Sequence, residues 1–135
     1  MKFLLQISLL GMAILLTSCQ TTEEMPNGVY FKNIKYGAVV SSPFTVQMGV
    51  HGMDVQPAGK IIAGTGHHHI IINSGSLPSG NVVPADDEHI HFGKGQTETV
   101  LSLDPGKYTL TLQFANGFHQ SYGAKYSKSI DITVK

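Results

Sequence analysis

The segment Lys107–Phe114, "KYTLTLQF", alternates strictly: Tyr108, Leu110, Leu112 and Phe114 on one side, Lys107, Thr109, Thr111 and Gln113 on the other. A period of two suits an extended strand with one buried and one wet face, and no helix can satisfy it. The pattern recurs in "FTVQMGV", where Phe44, Val46, Met48 and Val50 share a face, and in "SIDITV", where Ile130, Ile132 and Val134 do. Further strands are expected near 29–36, 68–73, 89–92 and 97–103. Past residue 28 no stretch sustains a 3.6-residue apolar repeat over ten residues. Short alternating strands with turns at "SSP", "PAG", "LPSG" and "DPG" predict an all-β fold, an immunoglobulin-like antiparallel β-sandwich of about seven strands. In "LDPGKY" a Pro-Gly turn runs into a tyrosine that opens a strand, which resembles the tyrosine corner of such sandwiches.

The N-terminus obeys different rules. Lys2 precedes an apolar run, Phe3–Leu16, and "LTSC" ends it at Cys19, the single cysteine of the chain. This reads as a secretory leader over residues 1–18, too short for a membrane span. "LTSC" resembles the lipobox of bacterial lipoproteins, which implies cleavage before Cys19 and lipidation of its sulfur and amino group. Two or more acyl chains hold a protein stably on a bilayer where one does not. Polar residues 19–28 read as the lipidated cysteine and a tether, leaving 29–135 as a single domain. The expected location is the bacterial cell envelope, facing the periplasm or the cell surface. Gln20, rather than an aspartate, after the cysteine favours the outer membrane. With one cysteine no intrachain disulfide can form, so the domain must rest on its hydrophobic core.

Charge narrows the functional classes. The nine basic residues are all lysine and are balanced by nine acidic ones, so formal net charge is zero. Without arginine the chain lacks the planar fork that reads phosphates and carboxylates, and a nucleic-acid partner is not expected.

The seven histidines carry most of the functional information: His51, His67, His68, His69, His89, His91 and His119. In a strand, residues two apart project the same way with Cα atoms roughly 6.5–7 Å apart. His67 can thus act with His69, and His89 with His91, and imidazoles so spaced can meet on one ion at metal–nitrogen bonds of roughly 2.0 Å. His119, in "ANGFHQSYG", sits in a loop that could swing over the same end of the sandwich. His68 points opposite to its neighbours: it either joins the face of Ile70 and Ile72 as a buried imidazole or lies in a bulge permitted by Gly64 and Gly66. The candidate metal ligands are therefore His67, His69, His89, His91, His119 and His68. Imidazole donors without thiolate suit copper or zinc. Met53, beside His51, is a weaker candidate. Asp86, Asp87 and Glu88 could orient imidazoles from behind, or form a solvated acidic loop. "GKGQTET" imitates part of a phosphate loop, but the full pattern is missing and its glycines suit a hairpin turn between strands ending near Phe92 and starting near Thr97.

Together "GTGHHHIII", "DEHIHFGKGQTET", "LDPGKYTLTLQF", "SSPFTVQMGVHGMDVQPAG" and the His-x-x-Tyr-Gly of His119–Gly123 resemble the motifs of domain-of-unknown-function family 4399, over residues 38–135. These are small bacterial envelope proteins, often lipoproteins or secreted. The resemblance implies an extracytoplasmic β-rich domain and sets His67, His68, His69, His89, His91 and His119 on motif positions; it supplies no function. The residues themselves point first to a lipid-anchored module that binds a transition metal. A second reading is an envelope scaffold with an envelope protein partner, structural histidines and no metal. A third is an enzyme, since three histidines and an open position can activate water; no substrate pocket or general base beyond the acidic run near Glu88 marks the chain as one.

Overall fold

The computed structural model describes residues 25–135; the leader, Cys19 and most of the tether lie outside them. Nine strands follow in order: β1 Gly28–Phe31, β2 Ala38–Val40, β3 Phe44–His51, β4 Asp54–Val55, β5 Thr65–Ile72, β6 His89–His91, β7 Glu98–Leu101, β8 Gly106–Ala115 and β9 Ser127–Val134. They form a three-stranded sheet, β1-β3-β7, and a six-stranded sheet, β2-β9-β8-β5-β4, with β6 also paired to β5. The all-β sandwich expected from the sequence is what the chain forms. The only helical element among the described residues is a single 3-10 turn, Ala124–Tyr126.

The alternating residues meet between the sheets. Val46 and Met48 of β3 pack with Ile70 and Ile72 of β5, Leu110, Leu112 and Phe114 of β8, and Ile130, Ile132 and Val134 of β9. The Tyr108 hydroxyl donates to the Asp104 carbonyl at 2.9 Å, closing the tyrosine corner that "LDPGKY" resembles.

Three details depart from the sequence-based expectation. Two additional short strands raise the count to nine, and both pair parallel, β2 with β9 and β4 with β5, since neither pair is joined by a hairpin. The chain does turn at Gly95, which has φ 80° and donates its N–H to the Phe92 carbonyl. That turn is no hairpin, however: β6 pairs with β5 and β7 with β3, so it carries the chain from one sheet to the other. Finally, Thr111 and Gln113 of β8 are 0 % exposed although they stand on the expected wet face. The segment 73–88 lies over them. Thr111 donates its hydroxyl to the Ser74 carbonyl at 2.6 Å, and Gln113 Oε1 accepts the Leu77 N–H at 3.0 Å.

Candidate metal centre

β5 sorts its histidines by the pleat. His68, Ile70 and Ile72 face the core, and the bulge alternative for His68 does not occur: its ring lies 5.0 Å from Phe114, centroid to centroid, fully buried. His67 and His69 face outward and are also buried. Register then selects between the two histidines of β6. His91 stands directly opposite His69, whereas His89 stands opposite Ile71, one pleat further along. Residues opposite one another share a face, so His91 joins His67 and His69. Gly93 follows so closely that a Cβ there would overlap the His91 ring.

The fourth imidazole arrives from the loop after β8. Ala115 and Ser121 form an isolated bridge, and the turn between them places His119 at φ 65°, in the left-handed region. Histidine is among the few residue types that populate this region, and it needs local support. Asn116 provides it: Oδ1 accepts the N–H groups of Phe118 (2.9 Å) and Gln120 (3.1 Å), Nδ2 donates to Gln120 Oε1 (2.9 Å), and the backbone carbonyl accepts the His119 N–H (2.9 Å).

His67, His69, His91 and His119 each offer a ring nitrogen, and these nitrogens all lie within 4.8 Å of one another. His67 Nε2 is central, 3.2 Å from His119 Nδ1 and 3.2 Å from His91 Nε2. Tetrahedral coordination at metal–nitrogen bonds of 2.0–2.1 Å requires ligand–ligand edges of about 3.3 Å, which the two 3.2 Å separations match, and the wider ones, bounded by 4.8 Å, close to that edge by small ring rotations. A histidine group here could hold a metal ion.

Electrostatics favour deprotonated donors. Burial, reinforced by His91 and His119, lowers the His67 pKa from 6.5 to about 4. Burial and the surrounding imidazoles lower His69 to about 2, and burial with His119 also lowers His91. A charged imidazolium here would lose water and meet like charges. Neutral imidazoles are the form that binds metal.

The remaining candidates lie elsewhere. His89 Nδ1 meets Asp86 Oδ1 at 2.6 Å, which draws its ring toward the exposed 86–88 turn; this contact with His89 also lowers the Asp86 pKa. The acidic run thus orients His89 rather than a member of the group. His68 is separated by the sheet itself, and both its ring nitrogens lack a hydrogen-bond partner among the described residues. His51 stacks on Tyr30 at 4.7 Å, and Met53 packs against the core. Asn116 and Gln120 escaped the sequence reading, although the Asn-Gly pair in "ANGFH" is a turn signal.

No curated protein and no solved structure matches this chain. Residues 46–135, from within β3 through β9 and with all four clustered histidines included, match the family model described as a domain of unknown function, DUF4399, and the chain belongs to that family.

Proposed function

We propose that this protein is a lipid-anchored envelope module that binds one transition-metal ion, copper or zinc, through His67, His69, His91 and His119. The observation that carries this reading is the convergence of four imidazoles from β5, β6 and the loop after β8, whose ring nitrogens all lie within 4.8 Å of one another. Sequence-adjacent histidines alone would not argue this. Three separately positioned chain segments that bring their ring nitrogens together do. The donor set contains neither thiolate nor carboxylate among the described residues. All-imidazole coordination suits copper and zinc over hard cations that seek oxygen. The "LTSC" leader motif supports anchoring through Cys19, with the outer membrane favoured by Gln20.

The test is elemental analysis with competitive copper and zinc titration of the full-length protein, purified in detergent without a histidine tag. About one equivalent of copper or zinc is expected, as for a single four-coordinate site. Replacing His67, His69, His91 and His119 together by alanine should weaken binding beyond the roughly 10- to 100-fold cost of disturbing a supporting residue. Unchanged affinity in a folded variant would remove the proposal. Protein that takes up neither metal would return the histidines to a structural role and favour the scaffold reading.

A further inference from the structure

The histidine group is not sealed. A cavity of about 330 Å³ lies against it, lined by His69, His91 and His119 together with Val82, Val83, Pro84 and Ala85. His67 takes no part in this lining, so the cavity meets the group on the side made by the other three imidazoles. The wall is tied to the site it covers: the Val83 N–H donates to the His119 carbonyl at 2.8 Å, and Val82 bridges to Gln120.

The wall's chemistry narrows what could enter. Apart from the histidines, every residue lining the cavity is aliphatic, and the group itself includes no carboxylate among the described residues. Asp86, next along the chain, is engaged by His89. Neutral imidazoles around a divalent ion leave its double charge uncompensated, and the cavity, whose Val82, Pro84, Ala85 and His91 also meet solvent, lets an anion reach it while supplying none of its own. An anion of a few atoms gains most from such a place. The volume falls at the lower end of the roughly 300–1,000 Å³ typical of small-molecule sites.

We propose that the metal-loaded group takes one small monoanionic ligand from outside the chain, seated in the cavity of Val82, Val83, Pro84 and Ala85 on the side away from His67. This rests on the metal-binding reading above. It adds that the ion, held by four imidazoles, takes the anion as a fifth ligand on the cavity side, so the site can exchange a ligand as well as hold a metal.

The experiment is an azide titration of the copper(II)-loaded, full-length protein, followed by electron paramagnetic resonance and by ligand-to-metal charge-transfer absorption. A saturable response with about one azide per copper is expected. Two variants shift the cavity in opposite directions without touching a histidine. Ala85→Phe should fill it and weaken azide binding at least about tenfold at unchanged copper stoichiometry, while Val83→Ala should enlarge it and retain binding. Copper uptake without any azide response would overturn this inference and leave the metal reading standing. Failure to take up copper would overturn both. Equal azide affinity in both variants and the parent would place the anion elsewhere and overturn the assigned cavity.

Discussion

The outer face of the six-stranded sheet has two ends, both crossed by β8, with opposite fates. At one end Lys107 and Asp131 stand in water, and Thr109 donates its hydroxyl to Asp131 at 2.7 Å in the open. A few residues along, Thr111, Gln113, His67 and His69 are sealed from solvent. Both ends are polar by composition. What separates them is the segment 73–88, which leaves Thr109 at Asn73 and then runs over Thr111 and Gln113. Where it crosses, polar side chains become internal and must find partners. Gln113 does so fully: beyond the Leu77 N–H, its Nε2 donates toward the carbonyls of Phe114, Gly123 and Tyr126 at 3.2–3.3 Å. The histidines do so only in part, since Nδ1 of both His67 and His69 has no partner among the described residues. Covered polar surface therefore serves two purposes here. Gln113 fastens the cover, and the imidazoles are turned toward one another, with His67 Nε2 between His91 and His119.

The largest effect expected from this contrast is on stability. Gln113→Leu strands several buried backbone groups, each costing roughly 1–3 kcal/mol, so a loss of about 4 kcal/mol in urea unfolding is expected. Thr109→Val at the open end should stay within about 0.5–1 kcal/mol. Similar losses at the two ends would show that the cover is not anchored through Gln113.

The next effect sets the two faces of β5 against each other. Burial, then His67 and Lys32, lower the His68 pKa from 6.5 to about 4. Between these values the unfolded chain binds more protons than the fold. In the metal-free protein this contribution is therefore fully present above about pH 6.5 and is lost as pH falls toward 4, by roughly 3 kcal/mol. His68→Leu, matching Ile70 and Ile72, should flatten the stability curve across that window by this amount. Metal affinity at pH 8 should not change, because the sheet separates His68 from the group. A variant curve parallel to the parent's would show that His68 does not stay neutral in the fold.

A smaller effect concerns the ligand on the loop. Asn116→Ala releases the turn that holds His119 at positive φ while leaving every imidazole in place. Metal affinity should fall about tenfold, the lower end of what a supporting residue contributes. Unchanged affinity would mean that the backbone bridge alone positions His119. Smallest of all, His89→Ala should leave metal affinity within about twofold, since that ring is turned to Asp86. A loss like that of His91→Ala would place His89 in the group and contradict the register of β6.

Much of the chain's local order was legible in advance. The alternation of β3, β8 and β9 announced half-buried strands, because pleating is a property of each strand's own backbone. The same rule paired His67 with His69 and offered His68 to the core with Ile70 and Ile72. It could not separate His89 from His91, which look equivalent in "HIHF". Only pairing opposite Ile71 or His69 distinguishes them, and register is a relation between segments. Nor could it tell that Thr111 and Gln113 would be internal, since period two records which side a residue faces and not what lies over that side. The aliphatic wall at Val82–Ala85 left no sequence signal for the same reason.

The sequence by itself thus determined the β architecture, the tyrosine-corner turn and the supply of closely spaced imidazoles, all consequences of short-range backbone geometry and residue chemistry. The tertiary structure alone decided which four histidines meet, that a loop imidazole completes them and that one side stays open to a cavity. Those outcomes depend on strand register and on the course of a long connection across the sheet, and each joins residues that no local pattern relates.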